Sequence, residues 1–226
     1  MNVNHHQSDE LLLDYASGAL GEAWSLAVAT HLALCPQCRA SLAELEAMGG
    51  ALLESLAPTA VAESAFDAVM ARLDEAPESQ IDLRAAAASP ASGAAGAPVL
   101  PEPLRSYVGG DVDSLDWQRL GLGAYQLPIA TAEGAGEGNA RLLRIPAGRP
   151  VPEHGHGGLE LTLVLCGAFS DATGEYRRGD LQVADESLEH QPVAAKGEDC
   201  ICLAVTDAPL RFSSLAARLV QPLIGI

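Results

Sequence analysis

The sequence predicts a multi-domain α + β protein in which a small all-α domain precedes an all-β one. Three observations carry this. Apolar residues recur at helical spacing through the first third of the chain. Ala, Pro, Ser and Gly then dominate residues 76–103. Beyond them, short apolar runs (ARLLRI, LELTLVL, DLQVA, CICLAV) alternate with Gly, Pro and Asp, the pattern of a β-sandwich or barrel. The expected division is residues 1–80 helical, residues 81–103 an Ala/Pro-rich linker, and residues 104–226 a β-domain. The linker offers only Ile81, Leu83, Val99 and Leu100 as bulky aliphatic side chains. A stretch that long and that poor in core residues is unusual inside one compact domain.

The helices can be placed from their punctuation. Ser8 caps a first helix that carries Leu11, Leu12 and Tyr15 and ends at Gly18. A second runs from about Gly21 to Leu34. Pro36 suits the first turn of a third, which carries Leu42, Leu45 and Met48. Gly49 and Gly50 are expected to loosen the chain after it. Phe66, Val69, Met70 and Leu73 mark a fourth helix, with Ser64 as its cap.

Composition excludes several functions. Of 226 residues, 30 are acidic and 13 basic, a formal charge of −17. Such a chain is repelled by nucleic acid and by anionic membrane. Aromatic residues are only 4%, too few for a base-stacking platform. No apolar run approaches the roughly 20 residues of a membrane span. The N-terminus, MNVNHHQSDE, has neither the basic nor the apolar region of a signal peptide. Five cysteines, an odd number with two of them in a CxxC, suit a reducing cytoplasm and metal or redox chemistry better than a disulfide framework. Residues 1–80 hold 12 acids against Arg39 and Arg72. That density of negative charge suits a basic protein partner, or simply a solvated helix face.

Two constellations carry chemistry. In HLALCPQC, His31 precedes Cys35 by four residues, so both share a helix face. Cys38 follows across the turn at Pro36. Zinc takes four N or S ligands in a tetrahedron, and the His5–His6 pair ahead of the first helix offers the fourth. His6 is assigned, because it lies nearer the helix start. The predicted site is a Zn2+ held by His6, His31, Cys35 and Cys38. Two other readings stand beside it: a redox dithiol, for which the βαβ context is missing and His31 is then unexplained, and His31 and the cysteines as ordinary core residues.

Residues 5–56 resemble the zinc-binding anti-sigma domain, through HHQSDELLLDYASGAL and ATHLALCPQC. The chain as a whole is similar to the ChrR family of anti-sigma factors. That resemblance implies binding to an extracytoplasmic-function sigma factor, held away from RNA polymerase by helices wedged between its two conserved domains. The family's zinc ligands map onto His6, His31, Cys35 and Cys38. Apolar candidates for the grip are Leu11, Leu12, Trp24, Leu26, Phe66 and Met70.

The second constellation is GRPVPEHGHGGLELTLVLCG, which fits G-x5-H-x-H-x3-E-x6-G from Gly148 to Gly167 and resembles the first cupin motif. It implies a jelly-roll barrel. His154, His156 and Glu160 share strand parity, with Leu159, Leu161, Leu163 and Leu165 on the opposite face. His190 is the expected fourth ligand, although the surrounding sequence departs from the second cupin motif. A three-His, one-Glu set suits Zn2+ or another divalent transition metal. With Glu160 a ligand, no other acid of the motif is a general base, since Glu153 and Glu189 should point away. The reading is therefore not an enzyme, the alternative being a cupin metalloenzyme with a zinc-binding regulatory domain. Cys166, Cys200 and Cys202 are buried apolar residues or redox sensors. By the resemblance, the barrel serves the response to oxidants such as singlet oxygen. The overall expectation is a cytoplasmic protein that touches neither DNA nor membrane.

Overall fold

The computed structural model describes residues 3–73, 97–121, 123–132 and 138–212. Most of the expected linker, including Ile81 and Leu83, lies outside the described residues. Five helices and twelve strands are present among them. By their contacts the residues form two compact units, one of residues 1–46 with 97–226 and one of residues 47–96. No helix among the described residues is long and apolar enough to cross a membrane.

Helix α1 spans Asp9–Ser17, and its Ser8 cap accepts a hydrogen bond from the Leu11 amide at 3.3 Å. It stops at Gly18, whose φ of 72° is the left-handed conformation that glycine adopts without strain. Helix α2 spans Glu22–Leu34 and α3 spans Pro36–Glu54. The third helix continues through Gly49 and Gly50, contrary to the expected break. Glycine in a helix interior costs only about 1 kcal/mol relative to alanine, which neighbouring good helix formers can carry. Helix α4 spans Ala65–Leu73, and α5 spans Glu102–Val108.

Helix α2 has apolar residues all round, and both sides are used. Ala23, Trp24, Leu26 and Ala27 enter one core with Leu104 of α5 and residues of the sheet described next. Val28, Leu32 and Cys35 enter another with Leu12 and Cys38. Trp24 and Leu26 are thus core, at 6% and 3% exposure, rather than surface grip. Gly138, with φ 73°, lies so close to Trp24 that a Cβ would stand 2.8 Å from the indole nitrogen. Only glycine admits both the backbone angle and the contact.

The strands are β1 Gln118–Gly121, β2 Ala124–Ile129, β3 Asn139–Ile145, β4 His154–Gly155, β5 Glu160–Cys166, β6 Ala168–Asp171, β7 Gly174–Arg177, β8 Leu181–Ala184, β9 Glu189–His190, β10 Val193–Ala194, β11 Cys200–Thr206 and β12 Arg211–Phe212. A six-stranded sheet has the order β1-β2-β3-β11-β5-β8, and two three-stranded sheets have the orders β10-β6-β7 and β12-β4-β9. The ladders are antiparallel throughout. Leu142, Leu161, Leu163, Leu165 and Leu203 of the large sheet face the helices. Glu160, Thr162, Cys200 and Cys202 face the other way, into a cavity closed by residues of the small sheets. Strand β11 is buried along its whole length, which is why CICLAV reads as a continuous apolar run.

Removing Leu203, fully buried in the middle of β11, tests this arrangement. Leu203→Ala is expected to destabilise the protein by about 2–5 kcal/mol, measured by urea unfolding. Phe66→Ala on α4, 73% exposed, should change it by less than about 0.5 kcal/mol.

Candidate metal centres

The first cluster is built at the junction of α2 and α3. His31 lies one turn before Cys35, which ends α2 and whose amide donates to the His31 carbonyl at 2.8 Å. Pro36 opens α3 without losing a needed N–H. Two residues on, the Cys38 amide donates to Cys35 Sγ at 3.4 Å. His6 closes the cluster, with Nδ1 at 3.3 Å from Cys35 Sγ and 3.5 Å from Cys38 Sγ. His31 Nε2 is 3.3 Å from Cys38 Sγ. All four donor atoms lie within 4.8 Å of one another. Around a tetrahedral zinc, with Zn–N of about 2.0–2.1 Å and Zn–S of about 2.3 Å, neighbouring donors sit roughly 3.3–3.8 Å apart. The donor set fits.

The electrostatics also fit a cation. Burial pushes His31 down to about 4, partly opposed by the backbone of Gly179. Its imidazole is therefore neutral, as a ligand must be. Burial, with the hydrogen bond and charge of Cys35 adding to it, pushes the Cys38 thiol up to about 12. Two buried sulfurs side by side do not ionise together unless positive charge lies between them.

The second cluster borders the barrel cavity, which His154 and His190 line. Strand β4 pairs with β9 so that His154 stands directly opposite His190. His156 follows β4 immediately. His190 Nε2 is 3.2 Å from both His154 Nε2 and His156 Nε2. His154 Nδ1 donates to the Pro152 carbonyl at 2.8 Å, and His190 Nδ1 donates to Asp171 Oδ2 at 2.6 Å. In the neutral rings, the Nε2 atoms of both then carry lone pairs, and these face each other. Burial keeps His154 below its ordinary value, so its neutral form is favoured. Two buried lone pairs at that distance repel unless a cation lies between them. The carboxylate behind His190 is the usual way in which a ligating imidazole is oriented.

Glu160 stands beside this trio rather than within it. The tight group of ligand atoms is His154, His156 and His190, with Glu160 Oε2 3.7 Å from His156 Nδ1. Thr162 Oγ1 donates to its other oxygen at 2.9 Å. Burial raises the Glu160 carboxyl, but contacts with His156 and Thr162 and the neighbouring rings outweigh it and hold the group low. Strand parity is not what gathers these residues, because a turn at 157–159 separates β4 from β5 and places them in different sheets.

The cavity has a volume of about 720 Å³. Leu143, Ile145, Phe169 and Ala194 give its wall an apolar lining. Cys200 and Cys202 share its wall with Sγ atoms 3.5 Å apart. Cys166 is turned elsewhere by an irregularity where β5 pairs with β11, and contacts Glu198 at 3.4 Å. Glu189 is exposed, whereas Glu153, although exposed as well, lines the cavity together with His154 and His190, contrary to the expectation that it points away.

Sequence reasoning missed Asp171. Its side chain is fully covered. Burial raises it, but hydrogen bonds from Thr173, Gln182 and His190 prevail and hold it near 2. In sequence it is one more acid before a turn, and no spacing marks it.

Residues 106–209 match the ChrR cupin-like domain. Along its full length the chain is 50% identical to the anti-sigma-E factor ChrR of Cereibacter sphaeroides, and all 226 residues align with the whole of that protein. The chain belongs to the ChrR family. In the crystal structure of Rhodobacter sphaeroides SigE in complex with the anti-sigma ChrR, a chain that is 47% identical matches with a TM-score of 0.76, over 91% of this chain and 100% of that one. The resemblance drawn from the two motifs, and the fold it implied, hold.

Metal analysis of dialysed protein is expected to give about two divalent ions per chain. Cys38→Ser should remove one of them and His190→Ala the other. Loss of both with either substitution, or of neither, would contradict two separate centres.

Proposed function

We propose that this protein is an anti-sigma factor. It binds an extracytoplasmic-function sigma factor, keeps it from RNA polymerase, and releases it under oxidant stress such as singlet oxygen, sensed through the barrel. The observation that carries the reading is 50% identity, from end to end, with a protein named for that activity.

The physical chemistry agrees. On α4, Phe66, Val69, Met70 and Leu73 are 47–73% exposed, and Met48, Leu52 and Leu53 of α3 are exposed as well. Helices that present this much apolar surface to water favour a partner. The acidic excess of residues 1–80 supplies attraction toward the basic, promoter-binding surfaces of a sigma factor. Residues 1–80 provide the grip, 81–103 the connection and 104–226 the sensor in this reading. This division concerns roles, since residues 1–46 and 97–226 share one core.

Within this proposal, His6, His31, Cys35 and Cys38 hold Zn2+, which locks the junction of α2 and α3. His154, His156 and His190, with Glu160 alongside, hold Zn2+ or another divalent transition metal. Inhibition is by occlusion and needs no turnover, so the protein is not an enzyme. It works in the cytoplasm, where the polymerase is and where free thiols persist. Cys35, Cys38, Cys166, Cys200 and Cys202 are all unpaired. It touches neither DNA nor membrane directly.

The test is transcription in vitro by RNA polymerase with a purified sigma factor of the SigE type. The full chain should abolish it. The Phe66→Asp, Met70→Asp double variant should weaken binding at least about 30-fold, the equivalent of one interface hot spot of about 2 kcal/mol. Undiminished transcription with excess protein would refute the reading.

A further inference from the structure

Five of the six histidines lie in the two clusters, and the sixth, His5, lies between them. The amides of Asn4 and His5 both donate to Asp180 Oδ1, at 2.6 and 3.0 Å. The His5 carbonyl accepts from the Leu181 amide at 3.1 Å, and His5 Nδ1 is 3.6 Å from Asp180 Oδ2. The Arg177 amide occupies that same oxygen at 2.8 Å. Asp180 is completely buried. The first-cluster ligand His6 is the next residue in the chain, and α1 begins only three residues further on. Asp180 therefore sets the position from which His6 reaches the two sulfurs.

A second set of contacts leads from His5 to the other cluster. The Tyr176 ring lies against His5 with centroids 4.3 Å apart. Thr173 Oγ1 donates to Asp171 Oδ1 at 2.6 Å, so at the 2.9 Å contact between Tyr176 and Thr173 the phenol is the donor. Asp171 then accepts from His190 Nδ1. The steps from Tyr176 through Thr173 and Asp171 to His190 are hydrogen bonds, the step to His5 is a tilted ring contact, and Asp171, Thr173 and Tyr176 all belong to the β6–β7 hairpin. None of Thr173, Tyr176 and Asp180 is a ligand in either cluster.

We propose that the β6–β7 hairpin and Asp180 couple the two centres, so that the arrangement of His154, His156 and His190 governs how firmly His6 stays on Cys35 and Cys38. A turn of the His190 ring withdraws its proton from Asp171. Gln182 still holds Asp171 Oδ2 and Thr173 Oγ1, but the carboxylate is freed on one side, and its movement is passed through Thr173 to the Tyr176 ring that lies against His5. His6 is the most exposed of the four first-cluster residues, and it alone comes from outside the α2–α3 junction, so it loosens first. By linkage, changes at the first cluster are felt equally by the second. This rests on the proposed metal-binding and inhibitory roles, and it supplies the route by which the barrel would reach the inhibitory helices.

The test uses the full-length protein loaded with Co2+, whose thiolate charge-transfer absorption reports the first cluster alone. The rate at which EDTA removes that signal is measured. His190→Ala should raise the rate about tenfold, within the range usual for coupled sites. Tyr176→Phe keeps the ring against His5 but loses the hydroxyl, and should reproduce most of this increase with an unchanged circular dichroism spectrum. Asp180→Ala should be fast whether or not His190 is present, and Asp180→Asn, which still offers an oxygen to Asn4 and His5, should restore a slow rate. An unchanged rate in both His190→Ala and Tyr176→Phe overturns the proposal, as does absence of the thiolate signal from the loaded wild-type protein. Normal coupling in a protein that fails to inhibit a sigma factor would overturn the anti-sigma reading and leave the coupling intact.

Discussion

One helix has to be buried on two sides. Helix α2 gives Ala23, Trp24, Leu26 and Ala27 to the core that it shares with the large sheet, and Val28, Leu32 and Cys35 to the core around the first cluster. Each fully buried large side chain contributes about 1.5–3 kcal/mol relative to exposure. A helix committed to both cores cannot rotate without losing one of them. The arrangement of His31 and Cys35 is therefore tied to the packing of the barrel, although neither residue touches the cavity. Glu22 strengthens the tie at the other end of the helix by accepting a hydrogen bond from the Tyr107 hydroxyl at 2.8 Å.

Both clusters are collections of groups that repel or disfavour one another in the absence of positive charge. In the first, burial works against ionised sulfur and against a protonated imidazole. In the second, hydrogen bonds to Pro152 and Asp171 turn two Nε2 lone pairs toward each other. Proteins do not hold such arrangements for stability alone, since uncompensated buried polar atoms are costly. The geometry agrees with the proposal that both donor sets hold a cation. They differ in kind, because two sulfurs favour a closed structural site whereas imidazoles beside a cavity leave room for a further ligand.

The surface divides as sharply as the interior. Among the described residues the barrel covers nearly all its large apolar side chains, while α4 and the second half of α3 leave theirs exposed. Such a contrast agrees with the proposed role, in which the helices take a partner and the barrel does not. In that proposed role, the acidic excess of the helical residues would govern the approach of a basic partner, and the exposed aliphatic and aromatic groups how long it stays.

Much of this was legible in the sequence. Ser8, Gly18 and Pro36 placed helix boundaries because capping and turn chemistry are local. H-x3-C-x2-C placed His31, Cys35 and Cys38 together because a helical turn and the Pro36 junction are local features, and the H-x-H-x3-E run identified the barrel motif. What tertiary structure alone decided is everything that depends on contacts between distant segments. Gly49 and Gly50 did not end α3. Trp24 went into the barrel core, because the outer face of the large sheet needed covering. Glu160 fell beside the three imidazoles rather than among them, since β4 and β5 belong to different sheets. Asp171 and Asp180 looked like ordinary turn acids, and only folding showed one orienting His190 and the other holding the backbone of Asn4 and His5 just before His6. Spacing along the chain records what neighbours can do together; it carries no record of which buried acid meets which amide 175 residues away.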